Sequence, residues 1–257
     1  MISLTVANQK GGCAKTTTVV NLAAALAQLG KRVLVLDLDA QANASAWLKP
    51  DQRTSGAFDL MTTSQELEAL ITQTATFGVD LIAGSRDLAN LEKALAGSMS
   101  LETILKRRLS KLQSDGWDYV LIDTPPTIGL TTINALVAST HLLIPVTTHA
   151  LTLSGVAQLV KAHEEVRELF NPRSQILGFL PCRVDSRTRH SQEVHQALRE
   201  KFGSKVFRAY IRENIRLAEA PSFGQSIFAY RPNSSAADDY LAVANEVLEL
   251  TVQPNAQ

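Results

Sequence analysis

The residues with the clearest chemistry form the segment KGGCAKTT at positions 10–17. Gly11 and Gly12 make a turn, and a helix pattern starts at Thr16, so backbone N–H groups and a helix N-terminus meet in one loop that can bind phosphate. In such a loop Lys15 reaches the β- and γ-phosphates of a nucleotide, and the Thr16 hydroxyl binds Mg²⁺. The alternative is a glycine-rich turn with solvated lysines.

Carboxylates come at or just after the ends of two apolar segments that have the pattern of buried strands. Asp37 and Asp39 come at the end of RVLVL, and Asp123 ends VLID. The carboxyl ends of parallel strands share one edge of a sheet, so we expect these carboxylates beside the phosphate loop. Asp123 is a candidate Mg²⁺ ligand at the end of a Walker B strand. The alternative is that these carboxylates only cap turns after their strands.

The strands and helices that must position these groups alternate along the whole chain. Apolar, β-branched runs predict strands at 2–7, 32–36, 79–83, 119–122, 141–146, 175–181 and 205–211. Helical patterns are predicted at 16–29, 101–112, 153–170, 192–202 and 236–250. This alternation predicts one doubly wound, mostly parallel α/β sheet with helices on both faces. We expect a single domain over residues 1–250 and a frayed tail at 251–257.

Composition narrows the function classes. The chain has 257 residues, a net charge of zero and 45% hydrophobic residues, which excludes disorder of the whole chain. The zero balance also argues against a histone-like nucleic-acid binder. Two cysteines cannot make a disulfide framework or a four-cysteine metal site. With no signal-peptide pattern and no run of 18 apolar residues, we expect a cytoplasmic protein.

Charge is distributed unevenly along the sequence. Residues 1–160 carry a net charge of −1, residues 161–216 carry +5, and residues 217–257 carry −4. A local basic surface therefore remains possible despite the zero total. The alternative for the +5 segment is a solvated helix face whose arginines form ion pairs with Glu193, Glu200 and Glu213.

Three segments resemble motifs of one family. The loop resembles the deviant Walker A motif KGGxGK[ST] of the ParA/MinD superfamily of P-loop ATPases, with Ala14 in place of the usual glycine. The segment DLDAQAN at 37–43 resembles that family's DxDxQxN. At 211–227, IRENIRLAEAPSFGQSI resembles IPRNxRLxEAPSxGxxI, with Arg212 replacing proline and Glu213 replacing arginine. Soj-like chromosomal ParA proteins match best, from residue 2 to about 250.

The resemblance implies an ATPase with ATP or ADP and Mg²⁺ as cofactors, which forms a sandwich homodimer on binding ATP. Lys15 contacts the phosphates of its own protomer, Lys10 contacts those of the partner, and Asp39 positions the attacking water. The implied ligand residues fall into three groups: Gly11, Gly12, Cys13, Ala14, Lys15, Thr16 and Thr17 for the phosphates; Asn214 and Pro221 for adenine; Thr16 and Asp123 for Mg²⁺.

The resemblance also implies partners. ParA-type dimers bind double-stranded DNA without sequence preference through basic residues in this half of the chain, and our candidates are Arg187, Arg189 and Arg216. A ParB-like or adaptor protein stimulates hydrolysis, and the protein associates with the nucleoid rather than a membrane.

Two alternative functions stay open. One is a nucleotide-dependent scaffold or DNA-binding module with little turnover because of Ala14. The other is a MinD-like membrane regulator, which the acidic last helix disfavours.

Overall fold

The computed structural model describes residues 1–48, 55–112, 116–147, 153–185 and 187–252. One sheet runs through these ranges. Its strands are β1 Ile2–Val6, β2 Val33–Asp37, β3 Thr72–Gln73, β4 Val79–Ile82, β5 Tyr119–Asp123, β6 His141–Thr147, β7 Gln175–Val184 and β8 Ile211–Arg212. They lie in the order β3-β4-β2-β5-β1-β6-β7-β8, parallel except for the β3–β4 pair at one edge. The predicted doubly wound, mostly parallel sheet is confirmed.

Helices connect the strands. They are α1 Lys15–Gln28, α2 Asn43–Leu48, α3 Ala57–Thr62, α4 Leu91–Ala94, α5 Ile104–Leu109, α6 Leu130–Ala138, α7 Leu153–Leu169, α8 Arg189–Phe202, α9 Ile215–Glu219, α10 Ile227–Tyr230 and α11 Ser235–Val252. Short 3₁₀ turns lie at Leu67–Leu70, Arg86–Asn90, Leu101–Thr103, Gly203–Lys205 and Ala220–Phe223. Within the described ranges, no helix is both long enough and apolar enough to cross a lipid bilayer.

Strand β2 shows why helices cover both faces of the sheet. Val33 and Val35 pack in a core that includes residues of α1 and α11, whereas Leu34 and Leu36 pack in a second core with residues of α3 and α5. Successive side chains of a strand point to opposite faces, so a run of four apolar residues needs cover on both sides. Burying each side chain contributes about 1.5–3 kcal/mol, which fixes the strand between its two helical layers.

The register of the three central strands places the polar groups. Val6 at the end of β1 is the neighbour of Asp123 at the end of β5, and Asp123 is the neighbour of Asp37 at the end of β2. The three residues form one row across the sheet. The loop that follows β1 therefore starts next to Asp123, with Asp37 one strand further along the row.

The prediction of a strand at 205–211 is wrong for most of these residues. Val206 makes one isolated bridge to Phe179, and β8 itself contains only Ile211 and Arg212. The backbone N–H groups of Arg208 and Ala209 donate instead to the carboxylate of Glu246 in α11, each at 2.9 Å. A distant side chain thus takes the donors that a strand would offer to its neighbour.

The helix predicted at 101–112 is shorter in the structure. It begins as the 3₁₀ turn Leu101–Thr103, and α5 ends at Leu109. The side chain of Asn134 in α6 holds this junction, because its Nδ2 donates to the carbonyl of Leu101 and its Oδ1 accepts from the N–H of Leu105. At the other end of the chain, α11 continues through Val252, and residues 253–257 of the predicted tail lie outside the described residues.

Candidate functional site

The loop between β1 and α1 has a fixed backbone. The N–H of Lys10 donates to Asn8 Oδ1 at 3.1 Å, and Asn8 Nδ2 donates to the carbonyl of Pro145 at 2.7 Å. The thiol of Cys13 lies inside the loop and donates to the carbonyl of Lys10 at 2.9 Å. This hydrogen bond braces the loop, and burial raises the pKa of Cys13, which disfavours its thiolate form.

The turn into α1 depends on two residues with positive φ. Gly12 has φ 71°, and Ala14 has φ 66° and ψ 25° in the left-handed region. Left-handed backbone is easy for glycine and costs an alanine about 1–2 kcal/mol. The structure therefore places Ala14 in the conformation that suits the glycine of the family motif. Lys15 follows as the first residue of α1 and is 8% exposed.

A hydroxyl and a carboxylate meet next to this loop. Thr16 Oγ1 donates to Asp123 Oδ2 at 2.7 Å. The other oxygen, Asp123 Oδ1, is buried without a hydrogen-bond partner among the described residues. Burial, and then the nearby charge of Asp37, raise the pKa of Asp123 well above its usual range. A buried carboxylate oxygen beside a hydroxyl fits Mg²⁺, which prefers oxygen ligands.

Asp37 is fully buried in the neighbouring strand and accepts three hydrogen bonds. Its Oδ2 accepts from the hydroxyl and the N–H of Ser45, and its Oδ1 accepts from the N–H of Asp39 at 3.1 Å. Burial raises the pKa of Asp37 to about 6. Asp37 is therefore an anchor that holds the start of α2 and the turn containing Asp39.

Asp39 lies just beyond β2, at the same edge of the sheet as the loop. Its Oδ1 accepts the N–H of Gln41 at 2.9 Å, and the residue is 7% exposed. Lys10 is half-buried at the start of the loop. Among the described residues, no group of three or more His, Cys, Asp or Glu side chains could hold a metal ion on its own.

A cavity of about 280 Å³ adjoins the loop. Gly12, Ala14 and Thr17 line it from the loop, and Asn214 lines it from the segment before α9. Asn214 is fixed there, because its Oδ1 accepts the N–H of Arg216 at 3.0 Å. Pro221, the second candidate for adenine, is not among the lining residues.

Sequence reasoning missed part of this cavity. Cys182 and Tyr240 line it and are fully buried, and Arg183 and Glu213 line its more exposed side. The signal that could have found Cys182 and Arg183 is their position at the carboxyl end of a parallel strand, where open sheets bind ligands.

The three arginines proposed for DNA all lie in surface ion pairs. Arg187 binds Asp185 at 2.9 Å, Arg189 binds Glu193 at 3.0 Å, and Arg216 binds Glu219 at 2.8 Å. Exposed pairs of this kind contribute about 0–1 kcal/mol each and exchange readily with other anions. Of the carboxylates expected as partners, Glu193 pairs with Arg189, whereas Arg187 and Arg216 pair with carboxylates that were not expected.

Comparisons with known proteins agree with this geometry. A family model described as an AAA domain matches residues 1–176. The chromosome-partitioning ATPase Soj of Thermus thermophilus is 42% identical over 245 residues, 95% of this chain and 94% of that protein. The sporulation initiation inhibitor protein Soj of Bacillus subtilis is 39% identical over 95% of this chain and 97% of that protein.

A solved structure is also similar over nearly its whole length. It is that of cobyrinic acid a,c-diamide synthase from Mycobacterium smegmatis with bound ADP and magnesium. The TM-score is 0.85 at 33% identity, and the match covers 97% of this chain and 94% of that chain. The same fold thus holds ADP and magnesium in a relative.

Proposed function

The chain belongs to the ParA/MinD superfamily of P-loop ATPases with a deviant Walker A loop, and from this premise we propose that it is the ATP-driven switch of a partition or positioning system. It is an ATPase whose cofactors are ATP or ADP and Mg²⁺. We propose further that ATP binding joins two protomers in a sandwich dimer. The dimer binds DNA without sequence preference, and hydrolysis separates it and releases the DNA.

The observation that carries the proposal is the contact between Thr16 and Asp123 at the end of the phosphate loop. It brings a hydroxyl from the start of α1 and a buried carboxylate from β5 to one point, beside the helix N-terminus that attracts phosphate. Lys15, buried in the same turn, binds the β- and γ-phosphates. Thr16 and Asp123 hold Mg²⁺, which when bound neutralises charge on the phosphates.

The remaining roles concern the transferred phosphoryl group. Asp39 orients the attacking water, and its turn is held by Asp37, whose carboxylate accepts the Asp39 N–H. Lys10 reaches across the dimer to the partner's phosphates, and its position at the partly exposed start of the loop supports that role. Catalysis in such sites is mostly positioning and charge stabilisation, so a fixed loop backbone is what the chemistry needs.

Basic residues of the +5 segment bind the DNA phosphates. Arg187, Arg189 and Arg216 are exposed or half-exposed, and each exchanges its carboxylate partner for a phosphate. Because such contacts read no bases, the affinity is independent of sequence and falls steeply with salt. A ParB-like or adaptor protein stimulates hydrolysis, and the cargo is a chromosome, a plasmid or a protein assembly. We place the protein on the nucleoid.

ATP hydrolysis, measured with and without DNA and alongside the mass of the protein in solution, tests this function. We expect wild-type protein to dimerise with ATP and Mg²⁺. Lys15→Ala should lose ATP binding, while Asp39→Ala should bind ATP, dimerise and fail to hydrolyse it. Arg107→Ala removes an exposed charge on α5, outside both the phosphate loop and the +5 segment, and serves as the control. Dimers that form equally without ATP, or Lys15→Ala protein that hydrolyses normally, contradict the proposal.

One observation favours a second candidate, a nucleotide-dependent scaffold with little turnover. Ala14 carries a methyl group at a left-handed position in the loop. If this strain slows the catalytic step, the protein stays on DNA or on its partner after binding ATP. Single-turnover hydrolysis separates the two functions, because a scaffold binds ATP and dimerises but releases no phosphate even with DNA present.

A further inference from the structure

Two residues depart from the family motif near the cavity, and each has a new partner. Arg212 stands where proline is usual, and its guanidinium binds Asp239 of α11 at 2.6 Å. Glu213 stands where arginine is usual, and its carboxylate accepts two hydrogen bonds from Arg183, from Nε at 2.9 Å and from Nη2 at 3.1 Å. Glu213 is thus paired with an arginine of the neighbouring strand β7.

The backbone at Arg183 is built for this contact. Its φ is 55°, in the left-handed region that favours glycine, and the register between β7 and β8 shifts between Cys182 and Val184. A shift of this kind re-aims one side chain of a strand. A left-handed non-glycine residue costs about 1–3 kcal/mol and persists only where surrounding contacts hold it. The paired hydrogen bonds to Glu213 are such contacts.

The pair faces the nucleotide cavity. Arg183 and Glu213 line the same space as Gly12, Ala14 and Thr17 of the phosphate loop. The two side chains are 48% and 40% exposed and form a solvent-facing part of the cavity lining, whereas Tyr240, which also lines the cavity, is fully buried. A molecule whose phosphates lie in the loop therefore extends toward the pair.

The chemistry of Arg183 and Glu213 indicates which part of a bound nucleotide lies against them. A guanidinium is planar, and two hydrogen bonds to one carboxylate fix the orientation of that plane. Planar cations stack on the faces of bases, and a purine offers a larger face than a pyrimidine. We propose that Arg183, whose orientation is fixed by Glu213, stacks on the base of the bound nucleotide and makes the site selective for purine over pyrimidine nucleotides. This inference rests on the proposed nucleotide function.

Arg183→Gly is the sharpest variant, because glycine adopts φ 55° without strain and the fold should be as stable or more stable. Isothermal titration with Mg²⁺ measures Kd for ATP, CTP and tripolyphosphate, which has phosphates and no base. We expect Arg183→Gly to bind ATP about tenfold more weakly, the range for loss of one stacking contact. Tripolyphosphate should change less than twofold, and the preference for ATP over CTP should shrink.

Matched variants separate the roles of the two residues. Arg183→Lys keeps the charge and loses the flat fork, so it should resemble Arg183→Gly. Glu213→Gln leaves Arg183 in place with a weaker partner and should lower ATP affinity about threefold, because a neutral acceptor bonds a guanidinium less strongly. Lys161→Ala, which breaks a surface pair on α7, should change nothing.

The results of these titrations distinguish failure of the stacking proposal from failure of the proposed function. Unchanged ATP binding by Arg183→Gly overturns the stacking proposal and leaves the ATPase intact. An equal loss for ATP and tripolyphosphate also overturns it, since Arg183 then acts on the phosphates. Wild-type protein that binds neither ATP nor tripolyphosphate overturns the proposed function itself.

Discussion

Asp37 Oδ2 accepts two hydrogen bonds from Ser45, one from its hydroxyl at 2.7 Å and one from its backbone N–H at 2.9 Å. The same hydroxyl oxygen accepts the N–H of Gly84 at 2.8 Å. A Cβ at position 84 would lie 2.9 Å from Asp37 Cγ, so only glycine allows this approach. Ser45 thus joins the end of β2, the start of α2 and the loop after β4.

Replacement of Ser45 by alanine tests how much this junction stabilises the fold. The change leaves the N–H of Gly84 without its partner and removes one of the two hydrogen bonds to Asp37 Oδ2, so we expect the free energy of unfolding to fall by about 1–3 kcal/mol. Urea denaturation measures the loss. Ser110→Ala is the control, because its exposed hydroxyl donates to the nearby carbonyl of Arg107, three residues earlier. Equal losses for both variants would show that the junction adds nothing.

Replacement of Ala14 by glycine should help both folding and function. It removes the cost of a left-handed alanine, partly offset by glycine's extra freedom in the unfolded chain, so we expect a gain of up to about 1 kcal/mol. Binding of ATP should tighten and hydrolysis should speed up, because the loop keeps its shape with less strain. Thermal unfolding and steady-state hydrolysis measure the two effects.

Ala46→Gly provides the control with the opposite sign. Ala46 is exposed and lies inside helix α2. Glycine there should destabilise the protein by about 0.5–1 kcal/mol, because it lowers helix propensity. If both variants lose stability alike, Ala14 carries no strain.

His163 gives the protein a pH-dependent stability. It is 1% exposed and bonds Ser174 Oγ through Nε2 at 3.0 Å, and burial, followed by the charge of Arg167, lowers its pKa to about 4. Between about pH 6.5 and 4 the unfolded chain binds more protons than the native one. The contribution of His163 is therefore present above pH 6.5 and lost as pH falls through 4.

Urea denaturation of wild-type and His163→Gln protein at pH 7, 5.5 and 4.5 checks this dependence. The difference in stability between the two should shrink by about 2–3 kcal/mol over this range, since only the wild type has a buried imidazole to protonate. Ser174→Ala keeps the imidazole and should show a penalty that depends far less on pH. A constant wild-type to His163→Gln difference would contradict the assignment.

Changes to the two partners of the Arg189–Glu193 ion pair should have opposite effects on DNA affinity. Arg189→Ala should weaken ATP-dependent binding to any duplex and reduce the slope of log affinity against log salt concentration by about one. Glu193→Gln should strengthen binding, because it frees the same arginine from its carboxylate. Fluorescence anisotropy over a salt series measures both. Two variants that leave affinity and slope unchanged would place the DNA surface elsewhere.

Sequence patterns predicted the sheet and the phosphate loop well, since both depend on local order. A buried strand, a glycine turn and a helix start are visible in consecutive residues, and two-sided burial shows as an unbroken apolar run such as β2. The row formed by Asp37 and Asp123 also follows from the parallel arrangement, because strand ends meet at one edge.

Contacts between distant residues could not be predicted in this way. The expected strand near Arg208 is broken by the carboxylate of Glu246, almost forty residues later in the chain. The pair between Arg183 and Glu213 depends on a positive φ and a register shift, and neither leaves a trace in residue types. The sequence around Asp37 likewise does not show whether its carboxylate caps a turn or holds α2 and the loop after β4 in place.

The position of β1 has a consequence for the synthesis of the protein. This strand is synthesised well before its neighbours in the sheet, β5 and β6, which begin at residues 119 and 141. Long-range parallel pairing of this kind forms late. A nascent chain can contain the whole loop between β1 and α1 and still lack Asp123. Under the function proposed above, Mg²⁺-dependent binding of ATP therefore requires that β5 has been synthesised and has joined β1 in the sheet.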